Sequence, residues 1–589
     1  MIQPILGIIL ISITFLLFIV LPSLLVHKKR ESSITEVLLN SMTTSIFLVL
    51  IISFFLLVFK IYNIYTFMGF YLLGIILIGI KNRKNITNFK VFRKKDFITF
   101  FMLFIIIALS AFILYYDSFQ FENARGGDSF ENTYRARIME SNTLFQGYLA
   151  PGYFLFLAAL HQFISLFSNT GFEPYIIMRF IAPLLGIIAI LVLWLISYHI
   201  TKNKYISFIP PLTLLLTNST YIPYLSQFTK IFHYTLEQFT VSLEQNLAML
   251  FFFLVLYYSI KIFEDKENYY LQLFMALTIV FMTHLLLLVT SLMFLISIGL
   301  VYYIKQKASI KKLIKMGLII FLAFIPELIH LVLILMADVK SPSISRTLIL
   351  LHSTPISGLL RADIHLGLIF LLLITTLILT NKKEIKSYIY VFGAFSLMIG
   401  ISIFFIAPYR MWPFLAITTV ISFGLLLTTL FNIVKIKSLY KYSSLFAIVM
   451  ILLIIFPVHP IMRTDINTTM PITVNDGFVS STLKIMNDYN INKVTFYSTK
   501  HLYFEGISMT GLDIDWRELK DLKDTKVDKP TFVFIDKTLN PYLKQWLPKT
   551  APESGDYQIN LNKANEFVSK LNNKKIYYED GTEIVYLIE

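Results

Sequence analysis

Apolar runs long enough to cross a bilayer recur along the chain, separated by short polar or basic segments. A membrane-crossing helix needs about 20 mainly apolar residues. By that measure the pattern predicts spans near 3–26, 36–59, 61–80 and 97–116, then near 174–199, 205–219, 246–263, 269–284 and 285–304. Further spans are predicted near 313–336, 364–380, 387–406, 411–432 and 442–457. The stretch 269–304 counts as two crossings that turn near His284. The run 150–168, opened by Pro151-Gly152, is apolar and amphipathic, and it is expected to lie in or dip into the outer interface without crossing. After Pro457 the pattern changes. Short β-type runs at 493–497, 531–535, 575–578 and 583–588 alternate with helical patterns at 478–487 and 564–571, which predicts a small α/β unit.

Basic residues orient these spans. The segments 27–30, 81–95, 201–204, 305–312, 381–386 and 435–441 are the basic ones and are expected to face the cytoplasm. The loops 117–149, 218–245 and 338–363, and everything after 457, then face outside. The expected architecture is a polytopic α-helical protein of the cell (plasma) membrane, with about fourteen spans, both ends outside and an extracytoplasmic α/β domain at its carboxyl terminus. No small-residue cleavage site precedes His27-Lys28-Lys29-Arg30, so the first run is expected to stay as a span.

Composition agrees with this picture. Of 589 residues, 56% are hydrophobic and only 15% charged, and the mean hydropathy is +0.70. The net charge of +15 lies largely in the short inner segments, so it is a topology signal and not a nucleic-acid patch. The chain has no cysteine, which excludes disulfides, thiolate catalysis and cysteine-metal sites. No Walker loop, dinucleotide glycine fingerprint or serine-nucleophile elbow is present.

Charged residues concentrate in 126–142, between the apolar runs 97–116 and 150–168: Asp128, Glu131, Arg135, Arg137 and Glu140, after Asp117, Glu122 and Arg125. So many charges beside membrane segments belong at a water-facing surface or in a polar cavity. Asp128-Ser129-Phe130-Glu131 has the spacing of a capping box. Alternatively, a carboxylate at this helix start binds a metal or takes a proton, with Asn132 and Arg135 following on the same face. Glu244 stands immediately before a span, either as a catalytic acid or as a solvated residue favoured by the helix dipole. Arg410, in Ala407-Pro408-Tyr409-Arg410-Met411-Trp412-Pro413, can grip a phosphate through paired N–H donors or snorkel at the interface. His284 sits inside apolar sequence, as a hydrogen-bonded structural residue or a functional one. Glu327 and His330 lie one turn apart in a span, able to pair with each other or with Arg361 and Asp363.

Asp128-Ser129-Phe130-Glu131-Asn132-Thr133-Tyr134-Arg135-Ala136-Arg137, followed by Ala150-Pro151-Gly152-Tyr153 and an apolar helix, resembles the first outer loop of GT-C membrane glycosyltransferases. That superfamily includes oligosaccharyltransferase catalytic subunits, protein O-mannosyltransferases and aminoarabinose transferases. The order of parts extends the resemblance over 97–589, and three spans precede the usual first one. The resemblance implies three regions: an N-terminal three-span extension (1–96), a GT-C-like transmembrane catalytic core (97–457) and the extracytoplasmic α/β domain (458–589). It implies transfer of a sugar from a polyprenyl- or dolichyl-phosphate donor to a glycan, lipid or protein acceptor at the outer face. Asp128 is then the general base or a metal ligand, and Glu244 the second-loop acid with Glu237 as its alternative. Arg410 and Arg135 hold the donor phosphate, and Glu131, Asn132, His284 and Arg361 are further candidates. Oxygen ligands from Asp128 and Glu244 suit Mg²⁺ or Mn²⁺, although the second loop lacks an Asp-x-Asp.

Two other functions share some of these features. A polymerase or ligase of lipid-linked surface polysaccharide also has many spans and a large outer loop. A flippase or transporter would show repeated halves and midplane charges, which the sequence lacks. The chain's freedom from cysteine makes the topology testable. A cysteine placed at Ser129 is expected to react with a membrane-impermeant maleimide added outside intact cells, and one placed in 81–95 only after permeabilisation. Labelling of position 129 solely from the cytoplasmic side would place the charged loop on the wrong face for this chemistry.

Overall fold

The computed structural model describes residues 2–24, 34–82, 97–120, 127–141, 150–166, 174–203, 205–216, 244–264, 269–306, 309–336, 356–403, 408–434, 476–498, 506, 510, 514–518, 529–536, 566, 569, 574–581 and 583–588. Its helices are α1 (Ile2–Thr14, continued by a π-turn and a last turn to Leu24), α2 (Ile34–Val58), α3 (Ile64–Asn82), α4 (Phe97–Gln120) and α5 (Gly127–Glu140). They continue as α6 (Gly152–Ser165), α7 (Pro174–Thr201), α8 (Ile209–Leu216), α9 (Glu244–Phe263), α10 (Tyr270–Thr283) and α11 (Leu285–Gln306). The last are α12 (Ile310–Met336), α13 (Ile356–Leu379), α14 (Lys383–Ser402), α15 (Pro408–Val434) and, in a separate unit, α16 (Asp476–Asp488). Seven of these helices are long and apolar enough to cross a membrane, and α1, α3, α4, α6, α8, α10 and α13 contain shorter apolar stretches. The chain is therefore mostly helical, with the composition and span lengths of a membrane protein. The expected span near 442–457 lies outside the described residues.

Contacts between helices show which ends lie together. Glu36, in the first turn of α2, takes a hydrogen bond from Tyr257 and an ion pair from Lys261 (2.8 Å), both near the end of α9. Glu264, just past α9, receives bonds from His199 at the end of α7 and Tyr388 near the start of α14, and an ion pair from Lys202 (3.3 Å). Lys305 lies over the Tyr390 ring and Lys315 over Tyr270. One end of the bundle is thus basic and cross-linked by two carboxylates. Phe263 meets Tyr302 at 5.0 Å there, while the backbone turns extended at His284 at the other end. Hence α10 and α11 form an antiparallel pair, the reversal expected near His284.

The first three helices share one hydrophobic cluster with the rest. Helix α2 packs against α6 and α10, so the amino-terminal helices form part of the wall around α6. Many of the serine and threonine hydroxyls inside the helices bond back to carbonyls one turn earlier, as at Thr43, Ser197, Ser259 and Thr418. That satisfies them without water.

The carboxyl-terminal unit is a five-stranded sheet of order β2-β1-β3-β5-β4, with β1 (Thr495–Ser498), β2 (Asp515–Glu518), β3 (Thr531–Asp536), β4 (Lys574–Glu579) and β5 (Glu583–Ile588). Strand β1 pairs in parallel with β2 and β3, and β5 runs antiparallel to β3 and β4. Phe478 and Ile485, two turns apart on α16, lie in a core with Phe496, Trp516, Phe532 and Phe534. Four strands match the β-type runs of the sequence. Strand β2 was not expected, because Asp515-Trp516-Arg517-Glu518 carries one apolar residue, and Trp516 alone stacks inward on Phe496 (4.5 Å).

The Glu264 network makes stability depend on pH. Burial opposes ionisation of this carboxyl, but the His199 and Tyr388 hydrogen bonds and the nearby Lys202 outweigh it and hold the pKa down at about 2, against an ordinary 4.5. The stabilisation is complete above the ordinary value and is lost as the pH falls through the folded one. Detergent-solubilised protein is expected to lose thermal stability between pH 4.5 and about 2. Glu264→Gln should cost about 2 kcal/mol at pH 7 and flatten that part of the profile; a variant with the wild-type acid profile would show that other groups control it.

Candidate functional site

Helix α5 is polar along most of its sequence, yet Asn132, Thr133, Arg135, Ala136 and Met139 are buried. Positions 132, 135, 136 and 139 follow a helical repeat, so they form one stripe, and α5 lies with that stripe against α6. Within it the Arg135 Nη1 donates to Asn132 Oδ1 at 3.5 Å, and the guanidinium sits 5.2 Å from the centre of the Phe154 ring on the first turn of α6. At the far end of α5, Glu140 pairs with His161 of α6 at 2.7 Å and with Arg137 at 3.7 Å. The buried Tyr62, on the turn between α2 and α3, has its hydroxyl pKa pushed up by burial and then by the charge of Glu140.

Helix α6 is enclosed by α1, α2, α3, α5, α7, α9 and α10. Every residue from Gly152 to Leu160 is buried, so neighbouring helices cover this stretch on all sides and not on one apolar face alone. The cause is in the sequence: Tyr153-Phe154-Leu155-Phe156-Leu157-Ala158-Ala159-Leu160 is apolar on every side, and a helix apolar all round goes inside. Its entry is tight. A Cβ on Gly152 would meet the carbonyl oxygen of Met282 at 2.7 Å and the methyl of Thr283 at 2.9 Å. Ala150 has a positive φ of 69°, and its N–H donates to Glu327 Oε1 of α12 at 3.1 Å.

The structure brings Asn132 and Arg135 into contact. It sets the starts of other elements at the same end of the bundle. Glu244 opens α9, whose far end carries the basic network. His284 is partly buried at the reversal between α10 and α11, and its Nδ1 accepts from Leu287 N at 3.4 Å, capping α11. Arg410 is half-buried in the first turn of α15. Arg361 lies near the start of α13. Gly400, near the end of α14, lies against Leu366 of α13, and α15 follows α14 in the chain, so Arg361 and Arg410 share that end. No contact among Arg135, His284 and Arg410 is found among the described residues. Asp128 and Glu131 stand in the first turns of α5. Their side chains, like those of Glu244 and Arg361, lie outside the described set, as does Glu237 entirely.

The proposed Mg²⁺ or Mn²⁺ ligands Asp128 and Glu244 are therefore placed by backbone only. Among the described residues no group of three or more histidine or acidic side chains stands together to hold a metal. Two features escaped the sequence reading. One is the Glu140–His161 pair, whose partners are 21 residues apart on different helices. The other is Tyr134, on the side of α5 opposite the buried stripe, which packs against the hydrophobic core of the carboxyl-terminal unit.

No protein-family model matches the chain, and no curated protein is similar to it. The close approach at Gly152 yields a direct test of how α6 is seated. Gly152→Ala must push a backbone carbonyl, and overpacking of this kind costs about 1–3 kcal/mol. The expected result is a lower melting temperature and a lower yield of monodisperse protein in detergent; an unchanged melting curve would mean that α6 does not approach Met282 so closely. What the residues establish by themselves is a helical membrane protein with a buried polar stripe on α5 and a sheet domain set against the same helix.

Proposed function

We propose that the chain is a membrane glycosyltransferase of the GT-C type, which moves a sugar from a polyprenyl- or dolichyl-phosphate carrier to an acceptor at the outer face. The observation that carries this reading is the α5 stripe. A buried arginine and asparagine lie together on the charged helix that follows the apolar helix α4, at the end of the bundle opposite its basic end. Basic ends of membrane bundles face the cytoplasm, so in this reading α5, α6 and the sheet domain face outside.

The carrier lipid cannot leave the bilayer, so sugar and acceptor must meet at the interface. Asp128, one turn ahead of Asn132, takes the proton from the acceptor hydroxyl. The freed oxygen attacks the anomeric carbon, the bond from that carbon to the phosphate oxygen breaks, and the lipid phosphate leaves with the electron pair. Arg135 and Arg410 balance the charge that grows on the phosphate. Glu244 is the second acid of the site; in the alternative role of Asp128, as a metal ligand and not the base, the two carboxylates would hold Mg²⁺ or Mn²⁺, which would supply Lewis-acid help at the phosphate. The sheet domain, resting on Tyr134 of the same helix, helps to present the acceptor.

Asp128→Asn isolates the carboxylate, because asparagine is also a good helix N-cap and preserves that role. The variant should insert and fold normally, while transfer from a polyprenyl-phosphate sugar to an acceptor, followed by radiolabel, should fall about a hundredfold or more. Near-normal transfer by the folded variant would leave Asp128 as a cap and remove it from the mechanism.

A further inference from the structure

Glu327 is a buried acid of the helical bundle that the reaction above does not use. It lies on α12, the least enclosed of the seven long helices. Its own side faces inward: Glu327 is 8% exposed and the neighbouring His330 fully buried. Phe324, one turn earlier, meets Phe281 of α10 at 5.3 Å, which sets Glu327 level with the reversal at His284.

Helix α6 begins without a cap of its own. Its N-cap residue is Pro151, which offers no side-chain acceptor and no N–H. The residue before it, Ala150, is held in the left-handed region, where an L-residue needs surrounding support. The support comes from another helix: Glu327 Oε1 accepts the Ala150 N–H. The second carboxylate oxygen is buried and makes no hydrogen bond among the described residues.

We propose that Glu327 is a positioning residue: it caps α6 from α12 and so fixes where the α5–α6 unit sits at the reacting end of the bundle. The proposal rests on the transferase reading for its catalytic meaning. The path is short. Glu327 holds Ala150, Ala150 leads into the first turn of α6, Phe154 of that turn carries the Arg135 guanidinium, and Arg135 bonds Asn132. Loss of the accepting oxygen leaves a buried N–H that Pro151 has no side-chain acceptor to satisfy, and the start of α6 shifts.

Three variants separate reach from chemical type. Glu327→Gln keeps the reach and the accepting oxygen, Glu327→Asp keeps the carboxyl group but falls one methylene short, and Glu327→Leu has no acceptor. Transfer from a polyprenyl-phosphate sugar should stay within about threefold of wild type for Gln and fall about tenfold or more for Asp and Leu, as expected for an unpaired buried donor. A second readout needs no activity: spin labels on cysteines placed at Ser141 and Leu285 in this cysteine-free chain, with their separation measured by pulsed EPR. Wild type and Gln should share one narrow distance distribution, and Asp and Leu should shift or broaden it. An unchanged distribution in Leu, or full transfer by Asp with loss in Gln, overturns the proposal. If Leu does not fold, the order of Gln and Asp decides. If the wild type transfers no sugar, the function falls while the distances still decide the positioning role.

Discussion

Inside a bilayer-embedded bundle every backbone polar group must find its partner in the protein, and helix α6 is where that constraint bears hardest. At 14 residues it spans about 21 Å, too little for a bilayer, so both of its ends must be satisfied within or beside the bundle. The surrounding helices are arranged to meet this demand. Gly152 lets the chain pass against the Met282 carbonyl, Glu327 takes the Ala150 N–H, and Phe163 stacks on Phe18 of α1 at 4.5 Å. The helices before residue 97 belong to the same solution, since α2 and α3 close one side of α6.

The opposite end is built on a different principle. There Glu36 and Glu264 gather hydrogen bonds and ion pairs from α7, α9 and α14. Lys261 is buried against its carboxylate and lies over the Tyr257 and Tyr269 rings, so the charge is balanced before it is enclosed. Paired charges of this kind fix helix ends relative to one another. The bundle therefore has one end locked by ion pairs and another where charged residues line a buried helix, and in the proposed reaction the chemistry belongs to the second.

The two faces of α5 connect the bundle to the sheet domain. Asn132 and Arg135 face α6, and Tyr134 packs against the core that includes Phe478 and Trp516. A helix of low apolar content is stable here because it is sandwiched. Arg135 bonds Asn132 within the stripe, Glu140 pairs with His161 of α6, and the Tyr134 ring is covered from the other side. Movement of the sheet domain would be felt at Tyr134, one residue from Arg135.

The sequence by itself determined the elements whose signal is local. Apolar runs of spanning length, the break at His284, four of the five strands and the Asn132–Arg135 stripe were all legible, because each depends on residues within a few turns of one another. Tertiary structure alone decided how α6 is enclosed, that Glu327 caps it, that Glu140 finds His161, that β2 joins the sheet through Trp516, and that Tyr134 meets the carboxyl-terminal domain. The physical reason is common to all five. Each joins residues on separate elements, so its free energy depends on which faces meet in space, and hydrophobic periodicity records only that a face is apolar and not what covers it.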